Sequence, residues 1–339
     1  MDKPSADSLI KNEYQIWKSR FPERIEVLNS GSGSNRQYYR IIDHQEHFIA
    51  TINNELKENE SFFYLSSYYV KQGIRLPEVC FISSDRSLYF QQDIGDVNLL
   101  QLLKENGFNE QLKLLYQSSL RMLWKMQSTT KGLDYSICYP REAFDKQSIL
   151  WDLNYFKYYF LKVSALVFDE QLLENDMQIL AEALAVKPDD DYFMFRDFQA
   201  RNIQIFNGEP WFIDFQGGRR GPFLYDVASL LFQASAGLDS KTQDELLAYY
   251  RQLIGSELEL SEQQFQEQFR LMVFVRIIQT LGAYGFRGLL EGKAYFKNSI
   301  PAALHNLESL LAKWDSEIQI PYFLSVLQGI TEIKHNFDQ

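Results

Sequence analysis

The sequence predicts an α+β protein in two unequal lobes, a small N-terminal one built on antiparallel strands and a larger helical one. Three observations predict it. Short β-branched and aromatic runs crowd the chain before residue 93, ahead of a polar, glycine-containing break, Asp93-Ile94-Gly95-Asp96. Beyond that break, apolar residues recur at helical spacing almost to the C-terminus. The implied organisation is an N-terminal lobe over 1–92, a hinge over 93–98 and a helical lobe over 99–339.

Taken in order, residues 5–19 read as an amphipathic helix with Leu9, Ile10, Tyr14 and Trp17 on one side and Ser5 or Asp7 as cap. Ile25–Leu28, Tyr38–Ile42 and His47–Thr51 read as strands, the first two flanking the Gly/Ser segment Asn29–Asn35. Glu55–Gln72 is a helix stopped by Gly73. Val79–Ile82 and Leu88–Gln92 are two more strands. After the hinge, helices are expected over Leu99–Asn106, Gln111–Gln127, Ile149–Val163, Glu170–Ala185, Leu224–Phe232, Thr242–Ile254, Ser261–Tyr284, Ala302–Trp314 and Pro321–His335. The aromatic stripe in Ile149–Val163 reads as core, Asp189–Asp191 as a solvated turn, and the glycine-rich run from Phe215 to Pro222 as flexible.

Composition narrows the function. The chain is 339 residues long, 45% hydrophobic and 15% aromatic, enough for two buried cores. Its net charge of −11 argues against a nucleic-acid partner, since phosphate backbones demand a basic face. Cys80 and Cys138 are too few for a disulfide framework, and His44, His47, His305 and His335 have no metal-ligand spacing. No apolar run approaches the roughly 18 residues of a membrane span, and Met1-Asp2-Lys3-Pro4 lacks the start of a signal peptide. The expected location is the cytoplasm, with no membrane partner.

The chemistry concentrates in Phe195-Arg196-Asp197-Phe198-Gln199-Ala200-Arg201-Asn202 and the segment that follows it to Asp214. Asn207-Gly208 marks a two-residue hairpin turn. Pairing Ile203–Phe206 with Pro210–Ile213 sets Asn202 and Asp214 nearly opposite each other at the open end. A carboxamide and a carboxylate then converge on a hard cation such as Mg²⁺, which takes oxygen ligands alongside substrate phosphates. Asp197, five positions before Asn202, has the Asp-x-x-x-x-Asn spacing of a phosphoryl-transfer base. Ordinary turn residues at the end of a hairpin are the competing reading. Ser32, Gly33, Ser34 and Asn35 are candidates to cover ATP phosphates, because glycines let backbone N–H groups approach them.

Together these features resemble the aminoglycoside phosphotransferase and choline kinase-like families, over the whole chain, which implies a bilobal protein kinase-like fold. More narrowly, the Phe195–Asn202 segment, Ile213-Asp214-Phe215-Gln216-Gly217-Gly218, Gly221–Leu230 and Arg276–Gly282 resemble the bacterial N-acetylmuramate/N-acetylglucosamine anomeric kinases. The resemblance implies Asp197 as catalytic base, Asn202 and Asp214 as Mg²⁺ ligands, ATP as phosphoryl donor, and Asp226 as support for the catalytic loop or merely a helix cap. It also implies a downstream nucleotidyltransferase that consumes the sugar 1-phosphate. Two departures stand out. The strand Phe48-Ile49-Ala50-Thr51-Ile52 lacks the lysine of most kinases, and Phe195 stands where histidine is usual.

Arg36 or Arg40 is expected to replace that lysine, with Glu60 as a candidate partner. Arg201, Arg219 and Arg276, with Arg220 and Arg287 nearby, favour a neutral or anionic acceptor over a polycationic antibiotic. They are expected to bind a small-molecule acceptor such as an amino sugar. Choline, homoserine, another sugar or an aminoglycoside are alternative acceptors, and a nucleotide-binding pseudokinase is the alternative outside enzymes.

Overall fold

The Ser5 hydroxyl accepts from the Ser8 N–H and starts α1 (Ala6–Lys18). The computed structural model describes residues 5–28, 36–44, 46–187, 192–255, 258 and 260–337. The Gly/Ser segment 29–35, with Ser32, Gly33, Ser34 and Asn35, lies outside the described residues, as do 189–191.

Strands β1 (Arg24–Leu28), β2 (Gln37–Asp43) and β3 (Glu46–Ile52) precede α2 (Leu56–Lys71), and β4 (Val79–Ile82) and β5 (Leu88–Gln92) follow it. They form one antiparallel sheet in the order β1-β2-β3-β5-β4. Strand alternation gives the sheet two unlike faces. Ile41, Ala50, Leu88 and Phe90 pack under Ile10 and Tyr14 of α1. The opposite face carries the rows Tyr38–Thr51–Tyr89 and Arg40–Ile49–Gln91. That second face looks into a cleft. Helix α2 joins the main core of the chain and leaves the small α1 core to itself. Its Phe62 ring lies 5.0 Å from Tyr89 and 5.1 Å from Phe215.

Arg40 reaches from β2 to the hinge, where Nε donates to Asp93 Oδ2 at 2.6 Å and Nη2 to Asp96 Oδ1 at 2.7 Å. Next come α3 (Leu99–Asn106), α4 (Glu110–Ser128), α5 (Lys146–Phe156) and α6 (Glu170–Leu184), capped by Asn98, Asn109, Asp145 and Asp169. β6 (Phe193–Met194) leads into the hairpin β7 (Ile203–Phe206) and β8 (Glu209–Phe212), and β9 (Arg219–Arg220) pairs back onto β6. The chain closes with α7 (Leu224–Leu231), α8 (Ser240–Ile254), α9 (Glu262–Tyr284), α10 (Ala294–Lys297), α11 (Ile300–Leu311) and α12 (Pro321–Glu332).

Three readings from composition need correction. The run from Phe215 to Pro222 is locked in place: its glycines serve close packing, and a Cβ on Gly218 would sit 2.1 Å from Phe193 Cζ. The aromatic helix is α5 for one part and a π-helical turn, Lys157–Leu161, for the rest. Its Ile149, Leu153, Phe156 and Phe160 are core, while Trp151 and Tyr158 are exposed. Finally, Glu262–Leu290 is long and apolar enough to cross a membrane, but 72% of its apolar window is buried inside the protein. It is the central helix of the larger core.

That helix continues past α9 into a π-helical turn, Gly285–Leu290, whose first residue abuts the backbone of the other π turn. A Cβ there would meet Tyr159 O at 2.1 Å, and a carbonyl cannot rotate away as a side chain can. Gly285→Ala is therefore expected to cost about 3 kcal/mol by overpacking. Urea unfolding checks this, and an unchanged midpoint would show that the two turns can separate.

Candidate active site

The Phe195–Asn202 segment is shaped by a carboxylate beneath it. Asp226, in the first turn of α7 and fully buried, accepts from Phe195 N at 2.7 Å, Arg196 N at 2.9 Å and Gln127 Nε2 at 3.0 Å. It sits inside the helix, whose N-cap is Phe223, so its role is loop support. Burial pushes its carboxyl up to about 7, against those three donors. Arg196 is held at φ +84°, a left-handed conformation that persists only when its surroundings over-determine it. Here they do. Its guanidinium donates to both oxygens of Asp152, at 2.6 and 2.8 Å, and to the Tyr225 hydroxyl at 2.8 Å. Phe195, in the usual histidine position, is buried edge-on against Phe198, Phe212 and Phe215.

This turn delivers Asp197 to a pocket of about 190 Å³ with 42% of its side chain exposed. Arg276 Nη2 donates to Asp197 Oδ1 at 3.3 Å and is steadied by Gln279 Oε1 at 2.8 Å. Burial pushes the Asp197 carboxyl up, but Arg276, then Arg196 and Arg201, hold it below the ordinary carboxylate value. It is ionised at neutral pH. Tyr155, Gln199, Thr280, Tyr284 and Arg287 complete much of the wall.

The hairpin forms one residue away from the expected pairing, with Ile203 opposite Phe212 rather than Ile213 and Phe206 opposite Glu209, because Asn207 and Gly208, both at positive φ, close it as a two-residue turn. Ile213 N donates to Asn202 O at 3.1 Å, which closes the open end. Asn202 gives its amide hydrogens to Asp197 O at 2.9 Å and Asp214 Oδ2 at 3.3 Å, so its side-chain carbonyl oxygen keeps no donor among the described residues. Gln216 Nε2 steadies Asp214 Oδ1 at 2.7 Å. Both residues line a second, larger cleft of about 830 Å³ beneath the sheet. An amide oxygen beside a carboxylate at the edge of this cleft is the donor set that Mg²⁺ accepts.

The same cleft sorts the arginines. Arg36 is buried, with Nη2 3.2 Å from Glu58 Oε2. Burial works against its charge, yet Tyr89, Tyr38, Glu58 and Asp214 hold the guanidinium above its ordinary pKa. Arg40 lines the cleft too, but the hinge carboxylates occupy it. Glu60 pairs with Arg86 and is the partner of neither candidate; the partner of Arg36 is Glu58. Leu28 and Arg36, on either side of the Gly/Ser segment, both line the cleft. Arg201 and Arg276 line the smaller pocket. Arg219 lines neither: it is buried behind the loop, Nε donating to Gly217 O at 3.0 Å, and burial pulls its pKa down to about 10. Glu58 and Asp152 escaped the sequence reading because they stand in no motif, and Gln216 and Gln279 stand in family segments but were given no role there; each of the four serves by tying another residue down.

Residues 24–261 match the phosphotransferase enzyme family, the family named for aminoglycoside phosphotransferases, and the chain belongs to it. Two curated relatives are named N-acetylmuramate/N-acetylglucosamine kinase. The one from Neisseria meningitidis serogroup B is 23% identical over 81% of this chain and 82% of its own length. The Pseudomonas aeruginosa one is 22% identical over 71% and 70%. Among solved structures, a thermostable mutant of the aminoglycoside phosphotransferase APH(4)-Ia, in ternary complex with ADP and hygromycin B, superposes with a TM-score of 0.61 at 14% identity, covering 92% of this chain and 100% of that one. The choline kinase LicA from Streptococcus pneumoniae gives 0.57 at 12% identity, covering 90% and 100%. The fold is the bilobal kinase-like one.

Proposed function

We propose that the protein is a cytoplasmic Mg²⁺- and ATP-dependent sugar kinase that phosphorylates the anomeric hydroxyl of N-acetylmuramate or N-acetylglucosamine, in the recycling of cell-wall sugar. One observation carries the reading. An ionised Asp197 faces a pocket of about 190 Å³ walled by guanidinium groups, next to a larger cleft bordered by Asn202 and Asp214. The pocket has the size of one sugar ring. Its arginines suit a neutral acceptor or the lactyl carboxylate of N-acetylmuramate and repel a polycation. The names of the two curated relatives point the same way.

In this reading ATP lies in the larger cleft, with the Gly/Ser segment covering its phosphates and Arg36 gripping them. Glu58 holds Arg36 in place, as a helix glutamate holds lysine in protein kinases. Arg40 instead fixes the sheet to the hinge. Asn202 and Asp214 would hold Mg²⁺, which neutralises phosphate charge when bound. Asp197 accepts the proton of the sugar hydroxyl and points that oxygen at the γ-phosphorus, so catalysis is mainly positioning. Arg276 keeps its carboxylate ionised and aimed. The sugar 1-phosphate would then feed a nucleotidyltransferase.

A panel of N-acetylmuramate, N-acetylglucosamine, choline, homoserine and kanamycin with Mg·ATP tests the acceptor. Turnover confined to the acetylated sugars is expected. Activity on kanamycin alone contradicts the charge argument, and nucleotide binding without any turnover indicates a pseudokinase. Arg36→Ala is expected to raise the KM for ATP about tenfold or more, as a lost charge-assisted phosphate contact does, while Arg40→Ala changes it far less. Equal effects would break the assignment.

A further inference from the structure

Five arginines border the two cavities, and four of them are ion-paired: Arg36 with Glu58, Arg40 with Asp93 and Asp96, Arg276 with Asp197, and Arg287 with Glu291. Arg201 differs. Among the described residues it forms no ion pair, and its Nε is shut off from solvent with no hydrogen-bond partner. It is also the one described residue that lines both cavities.

Its backbone is fixed on both sides. Ala200 N donates to Gln233 Oε1 at 2.8 Å, and Asn202 N donates to Gln199 O at 2.8 Å. A guanidinium on a backbone so held, beside Asp197 and between the two cavities, is placed for a charge that neither cavity supplies alone. A group that bound only the acceptor would have no reason to border the nucleotide cleft.

We infer that Arg201 stabilises the phosphoryl group in flight, as an electrophile that the chain itself supplies between donor and acceptor. In the step, a bond forms between the acceptor hydroxyl oxygen and the γ-phosphorus. The bond from the γ-phosphorus to the β,γ-bridging oxygen breaks, its electron pair leaves with ADP, and the hydroxyl proton passes to Asp197. Charge on the equatorial and bridging oxygens is what the planar guanidinium fork meets. The inference rests on the kinase reading, though not on the amino sugar as acceptor.

The test uses Arg201→Ala and Arg201→Lys, with calorimetric titration of Mg·ADP in the presence and absence of aluminium fluoride, which mimics the transferring group. Thermal melting establishes that each variant is folded. The wild type is expected to bind ADP at least about tenfold more tightly with fluoroaluminate, as a transition-state analogue does. Arg201→Ala should bind ADP alone like the wild type yet lose that tightening, and Arg201→Lys should regain part of it. The slow hydrolysis of ATP by water, which needs no sugar, should fall about a hundredfold in Arg201→Ala. Retained tightening, or a raised acceptor KM at unchanged kcat, overturns the inference. A wild type that fails to bind Mg·ADP overturns the kinase reading itself.

Discussion

Asp197→Asn is expected to lower kcat about a thousandfold while leaving the KM for ATP nearly unchanged. The amide keeps the shape of the carboxylate but cannot accept the hydroxyl proton. It also removes the negative charge facing Arg276, which donates to Asp197 Oδ1 at 3.3 Å. Because Arg276, Arg196 and Arg201 hold the carboxyl below the ordinary carboxylate value, any acid limb from Asp197 in the wild-type pH profile must lie below the ordinary carboxylate range. Steady-state kinetics from pH 5 upward would therefore show no ionisation from this residue. A variant with tenfold or smaller loss, which is well short of general-base catalysis, would mean that Asp197 merely shapes the pocket.

The second large effect is expected beneath the loop. Asp226→Ala strands Phe195 N, Arg196 N and the Gln127 amide, all buried or partly buried donors. At roughly 1–3 kcal/mol for each unsatisfied donor, a loss of about 4 kcal/mol is expected, and kcat falls with it because Arg196 positions Asp197. Asp226→Asn separates charge from shape. In the wild type burial raises the folded pKa of Asp226 to about 7, above its unfolded value, so the folded state holds this proton more tightly. The stability associated with that proton is fully present below the unfolded pKa and is lost as pH rises through about 7. The wild type's advantage over Asp226→Asn in urea unfolding should accordingly shrink between pH 4 and 7. An advantage that grows over that range would show the carboxylate to be ionised throughout.

How much of this was legible in the sequence follows from where the information lies. The strands and long helices carry period-2 or period-3.6 patterns, so their positions came within a residue or two in most cases. The Asn207-Gly208 turn fixes its own hairpin register, which places Asn202 and Asp214 together. Local patterns carry no such record of distant partners. That Glu58 rather than Glu60 reaches Arg36 depends on how α2 is rotated against the sheet, since the two glutamates lie about 200° apart around the helix and only one can face Arg36. Arg219 looked like a pocket residue because it stands in the arginine-rich neighbourhood of the motif, but Gly218 and Gly221 flank it. Those glycines bury it instead, by letting β9 close onto β6. The wall of the smaller pocket is assembled from α5, the Phe195–Asn202 segment, α9 and the π turn after it, so sequence spacing could not join Tyr155 to Gln279.

The central claim is that Asp197 directs an anomeric hydroxyl at ATP. It is tested most directly by ³¹P NMR of the product formed from N-acetylmuramate, Mg·ATP and the protein, beside the same reaction with Asp197→Asn. The account predicts a sugar 1-phosphate resonance, coupled to the anomeric proton, with the wild type and essentially none with the variant. Phosphate on another hydroxyl, or equal product from both proteins, would contradict it.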